Sequence, residues 1–269
     1  MTPRPRRWIV AVVVIWSVLL VSFGLWGVLH TQVTDREQTT VAQALPTVDR
    51  AAATVASAST VDGQAVVAVS DLTSAGRCKV TAFRSGARYQ RVVTVLVQPG
   101  TEDALIRRVA ARLPENYHAL VSRRSPLTMS ADAGLFVGID GTTSGPGVVR
   151  FVVDTGDCRS AGNIPASSTV VTPGSDAPVR EVLTRLGVDA TPHRYAVPCA
   201  GGGQLSTVEA FAGGGPPGPY EAKLAGIPGV QPVVTADTLY AYIVDGTQIA
   251  VRQVDNGVDV TATVLCAGQ

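Results

Sequence analysis

Ser130-Ala-Asp-Ala-Gly-Leu-Phe136, followed by Gly138-Ile-Asp-Gly-Thr142, returns in outline as Thr235-Ala-Asp-Thr-Leu-Tyr240, followed by Ile243-Val-Asp-Gly-Thr247. An apolar run carrying one arginine comes next in each case: Val148-Val-Arg-Phe-Val-Val153 and Ile249-Ala-Val-Arg-Gln-Val254. Each half then runs to a cysteine. Upstream, Thr94-Val-Leu-Val matches Thr207-Val-Glu-Ala, and each is followed by a Gly/Pro turn and a helical stretch. Further upstream stand Cys78 or Cys199, and before them the amphipathic stretches Val48–Ala58 or Val179–Leu186. The order in both halves is helix, strand, Cys, strand, helix, strand, hairpin, Cys. Recurrence of order is how repeats are recognised, so an internal duplication is expected.

Local chemistry gives the elements. Thr101–Leu113 opens with a threonine that can cap a helix and places acids in the first turn. Leu105, Ile106, Val109 and Leu113 then form one apolar stripe, and Pro114 stops it. Asp140-Gly141 and Asp245-Gly246 lie between β-rich runs, and an Asp-Gly pair accepts the positive φ of a tight hairpin. Asn256-Gly257 marks a further hairpin. In Val258–Leu265 the first half alternates, as in a strand with one wet face. The expected fold class is therefore α+β: two similar small units, each an antiparallel sheet with helices on one face.

Outside the repeat, Trp8–Leu29 holds 22 residues without a charge. As a helix it is about 33 Å long, enough to cross a hydrocarbon core of about 30 Å. Arg4, Arg6 and Arg7 precede it, and Asp35, Arg36 and Glu37 after it nearly cancel. The positive side stays cytoplasmic, so residues from about 30 onward are expected outside. A cleaved signal peptide has the same charge order, but the only weak cleavage site is Ser22-Phe23-Gly24 and the apolar core is too long. The expected organisation is a cytoplasmic tail (1–7), a transmembrane anchor (8–29), a tether (30–46), a first unit (47–159), a linker (160–175) and a second unit (176–269). The lipid bilayer is the expected partner of residues 8–29.

All four cysteines, Cys78, Cys158, Cys199 and Cys266, fall in the expected outside part, 80, 41 and 67 residues apart. No C-x-x-C or His/Cys cluster points to zinc. One pair per unit selects Cys78–Cys158 and Cys199–Cys266. Closing loops of that size stabilises a unit by roughly 4 kcal/mol in the chain-entropy account. The competing pairing is Cys158–Cys199 with Cys78–Cys266.

Chemistry is sparse. His30, His118 and His193 are the only histidines, and none has a second ligand at metal spacing. There is no G-x-S-x-G and no H-E-x-x-H. The glycine-rich runs 141–147 and 213–218 lack the Lys-Ser/Thr ending of a phosphate loop and read as turns. Asp132 and Asp237 hold matched positions that suit turn capping. No catalytic residue, cofactor or metal is assigned.

Charge is uneven. Residues 77–124 carry ten basic and three acidic side chains; residues 154–269 carry six and eleven. Such asymmetry fits docking to an anionic wall or lipid surface, or attraction between the halves. Arg107, Arg108 and Arg112, on the wet side of one helix, are the candidate contact. Nucleic acid is disfavoured, since residues 31–269 hold 19 basic and 21 acidic residues. With two lysines against twenty arginines, the composition is that of a GC-rich genome, so a bacterial envelope is the expected setting. The expected function is a non-catalytic, membrane-anchored extracytoplasmic module binding a protein, cell-wall polymer or small ligand. The alternative is an envelope enzyme with a site at the junction of the two units.

Overall fold

A computed structural model describes residues 5–30, 39–80, 84–156, 158–160, 175–199, 201–216 and 218–266. Arg4, about half of the expected tether (31–38) and most of the expected linker (161–174) lie outside the described residues. The chain divides into Met1–Gln38 and Thr39–Gln269.

The first part is one helix, α1 (Pro5–His30). Its segment Trp8–Gly27 is long and apolar enough to cross a membrane, and none of it is buried. Trp8, Trp16 and Trp26 are all exposed.

The second part begins with α2 (Val41–Thr60), capped by Thr40, whose side chain accepts from the Gln43 amide while the Gln43 side chain reaches back to the Thr40 amide. That reciprocal pair satisfies two otherwise orphaned donors. The helix starts before the end of the expected tether at 46. Pro46 lies inside it, and a proline reads in sequence as an interruption. Its alanine-rich face, including Ala44, Ala51, Ala52 and Ala56, is fully buried.

The first sheet follows: β1 (Val66–Val69), β2 (Thr73–Lys79), β3 (Ser85–Leu96), then α3 (Glu102–Arg112), β4 (Leu120–Val121), β5 (Thr128–Asp132), β6 (Gly138–Gly145) and β7 (Val148–Asp154). Strand order is β1-β3-β7-β6-β5-β4, with β2 on the N-terminal half of β3, and every pairing is antiparallel. Helices α2 and α3 share its core. The buried Arg91 of β3 donates to Asp49 of α2 at 2.6 Å and to the Ser70 carbonyl, which joins helix to sheet by a shielded ion pair.

The second sheet is built from α4 (Ala177–Leu186), β8 (His193–Pro198), β9 (Gln204–Gly213), α5 (Tyr220–Leu224), β10 (Gln231–Ala236), β11 (Leu239–Val244), β12 (Thr247–Val254) and β13 (Gly257–Val264). Its order is β10-β11-β12-β13-β9-β8, again antiparallel. Helices α4 and α5 share a second core with it. The body is thus mixed α+β with two antiparallel sheet units.

Two expectations need correction. Asp140-Gly141 is not a turn but the middle of β6; Gly141 pairs with Phe151, and a Cβ there would stand 2.6 Å from the Phe151 ring. Glycine is present because the ring needs the space. Asp245-Gly246 does form the two-residue turn between β11 and β12, with φ of 48° and 73°. Strand β13 has no wet face: it is central, and Asp259, Thr261 and Thr263 are buried. Alongside the second sheet's own core, the two halves share apolar contacts. Val197, Cys199, Leu205 and Cys266 of the second half join the core under α2, and Val66, Leu96 and Val148 of the first sheet cluster with Val234, Leu239, Ala241 and Ala250 of the second.

Cys78 pairs with Cys158 and Cys199 with Cys266, with Cα atoms 5.7 Å and 5.9 Å apart. Each pair lies within one half of the body.

Candidate functional site

The junction of the sheets holds a cluster of buried polar side chains, among them Thr207, Gln248, Asp259 and Thr263. Strand β1 is the edge of the first sheet, and its free side meets the face of the second. An uncovered edge presents unpaired amides. Here side chains cover them: Gln248 Oε1 accepts from the Val67 amide at 2.8 Å, and Thr207 Oγ1 accepts from the Val69 amide at 3.2 Å. Thr207 also shares a hydrogen bond with Thr263. A strand face that looks polar in sequence is therefore a buried, hydrogen-bonded seam.

Beyond Thr207, two carboxyl groups enter the seam. Tyr195 of β8 donates from Oη to Glu209 of β9 at 2.5 Å, and Arg252 of β12 donates to Asp259 of β13 at 2.7 Å. The other Asp259 oxygen, Oδ1, is buried with no hydrogen-bond donor among the described residues. Burial pushes the Glu209 carboxyl above the usual carboxylate range, the phenol of Tyr195 opposes that, and the Asp259 charge adds to it. A hydrogen bond shared with Asp259 adds to the upward push on Glu209. Burial, then the Glu209 hydrogen bond, pushes the Tyr195 phenol up.

The cavity at this point has a volume of about 40 Å³ and is lined by Ser70, Thr94, Thr207, Glu209, Arg252 and Asp259, among others. That is room for one or a few waters and not for an organic substrate. The Ser70 hydroxyl is engaged with the Asp71 carbonyl and the Val92 amide. Neither Ser70 nor Thr207 is poised as a nucleophile. The cluster can hold a proton and a water between two carboxyl groups.

The sequence-derived candidates lie elsewhere. Arg108 and Arg112 of α3 both donate to Asp62 at 2.8 Å, and hydrogen bonds from Arg112 and Arg108 hold the Asp62 carboxyl below its usual range. Only Arg107 of the three is exposed without such a partner. The i, i+4 spacing of Arg108 and Arg112 serves an internal clamp on the end of α2. Asp132 accepts from the Gly134 amide, which is turn capping, and Asp237 stands in the turn between β10 and β11. His118 and His193 are exposed. No group of three metal-ligating side chains exists among the described residues.

Sequence reading missed Tyr195, Glu209, Arg252 and Asp259. The available signal was Asp259 inside an otherwise apolar and threonine-rich strand. Comparison with protein-family models, with curated proteins and with solved structures finds no match to this chain.

Proposed function

We propose that the chain is a non-catalytic module of the bacterial envelope, anchored in the plasma membrane by residues 8–29, with the N-terminus cytoplasmic and the body outside. There it binds a protein, cell-wall polymer or small ligand. The observation that carries this reading is the pairing of an uncharged, unburied helical segment, Trp8–Gly27, with a body that brings all four cysteines into two disulfide pairs. Exposed apolar surface of that extent needs lipid, and disulfides persist in oxidising compartments.

Duplication is part of the proposal. In each sheet the long strand after the first cysteine of the half, β3 or β9, lies beside the last strand, β7 or β13, with the earlier strands following in reverse order. The sequence matches run one strand out of step with this plan, since they set β7 against β12.

A second reading, an envelope enzyme acting at the junction of the sheets, draws on Glu209 and Asp259. The small cavity and the engaged hydroxyls favour the binding module. Crosslinking in intact cells should capture one reproducible envelope component on the full chain. Labelling of a serine by a hydrolase activity probe, with no captured partner, would favour the enzyme.

A further inference from the structure

One end of the first sheet carries features that the proposed function does not yet use. The row Gln90, Asp154, Gly138, Asp132 closes that end. Strand β3 runs on past Gln90 to Ser85, paired on one side with β2; on the other side Tyr89 exchanges hydrogen bonds with Thr155, and Ala87 forms an isolated bridge with Arg159. This two-stranded arm extends about 17 Å at the usual rise. A lone ribbon is marginal in water, and this one is braced by the Cys78–Cys158 pair and by Arg159.

The arm is basic throughout. No acid occurs between Leu72 and Thr101. Arg77, Lys79, Arg84 and Arg88 are exposed. The register puts Arg77 and Lys79 on one face and Arg84 and Arg88 on the other, so approach end-on presents all four. Three described acids at this end have partners of their own. Asp132 and Asp154 each accept from a backbone amide two residues on, and Asp71 lies 3.9 Å from Arg91.

Beside the arm stands an apolar tip. Leu135 and Phe136, in the loop from β5 to β6, are 52% and 37% exposed, and both have left-handed backbone, φ 53° and 58°. Bulky residues avoid that region, and strain of this kind persists only where surrounding structure imposes it. Arg159, itself buried, imposes it: its guanidinium donates to the Leu135 and Thr155 carbonyls while its backbone pairs with Ala87 of the arm. Gly156 lets the Phe136 carbonyl come closer than any Cβ would permit. One buried residue thus fixes the apolar tip alongside the basic arm.

We infer that this end of the sheet docks on anionic phospholipid headgroups, with Leu135 and Phe136 entering the headgroup–acyl boundary and the four cations facing phosphates. Cations flanking exposed apolar side chains are the composition of an interfacial membrane contact. A hydrophilic wall polyanion would use the cations and leave the apolar pair in water. The inference rests on the proposed anchoring, which makes such headgroups the polyanion within reach of the body.

The test uses the full chain in vesicles of phosphatidylcholine alone or of phosphatidylcholine and phosphatidylglycerol in equal parts. Hydrogen–deuterium exchange of segments 84–90 and 133–137 should be several-fold slower with the anionic lipid, and high salt should abolish the difference. The pair Leu135→Asn and Phe136→Asn should remove it without unfolding, because asparagine tolerates left-handed backbone. The triple change Arg77→Gln, Lys79→Gln and Arg88→Gln should also remove it, with exchange elsewhere unchanged. Equal exchange in the two lipids overturns the inference, as does equal protection by soluble polyphosphate in detergent. Extraction with alkaline carbonate reads the anchor separately: release of the chain marks failure of the anchoring, while lipid-dependent exchange still reads the docking.

Discussion

Glu209 has the most exposed consequences for pH. Its carboxyl is raised mainly by burial, so the folded chain holds the proton to a higher pH than the unfolded chain does. Stability from this group is complete below its ordinary value of 4.5 and is lost as pH rises through the folded value. Glu209→Gln keeps an acceptor for Tyr195 and cannot ionise. The variant should therefore melt higher than the parent at about pH 7, and the advantage should disappear below about pH 4. An advantage that is independent of pH would mean that burial does not raise the Glu209 carboxyl. Asp62 works in the opposite sense. Its carboxyl is lowered by Arg112 and Arg108, so its contribution is present above its ordinary 3.8 and fades as pH falls through the folded value. None of this was legible in the sequence. Glu209 and Asp259 sit on strands β9 and β13, and only the way the sheets meet turns their shared face from solvent to interior.

Elements were legible where local rules decide them. Helix α3 begins at Glu102 and ends at Arg112, as the acids of its first turn and Pro114 imply, but the Thr101 hydroxyl donates to the Gln98 carbonyl and does not cap it. The Asp245-Gly246 turn follows from backbone freedom alone. Asp140-Gly141 did not, because its glycine answers to a partner strand. That gives an element-scale prediction. Gly141→Ala places a methyl against the fully buried Phe151 ring, and overpacking of this kind costs about 1–3 kcal/mol. Urea unfolding should show a lower midpoint with an unchanged slope. An unaltered midpoint would mean that the ring can move aside freely. The start of α2 was hidden by Pro46, and the basic arm by the lack of any sequence mark that β3 outruns its neighbour β7.

At the scale of the molecule, the recurring order of features in the sequence pointed to two antiparallel sheets with helices and to two cysteine pairs, and both are present. That order did not give the shared core. The first helix of the body packs with residues from both halves, and Gln248 and Thr207 close the edge of a strand some 140 to 180 residues away. Contacts between distant segments leave no periodic trace in a single sequence, so the junction, and with it the Glu209–Asp259 cluster, emerges only in three dimensions. The charge bias around Trp8–Leu29, by contrast, is local, and the proposed topology rests on it. Protease added to intact spheroplasts tests it most directly. Residues 31–269 should be digested from outside while a short membrane-bound fragment holding α1 survives, and cytoplasmic markers should stay whole. A body protected until the membrane is broken, or a soluble protein recovered from the medium and trimmed after residue 24, would contradict an anchored, outward-facing module.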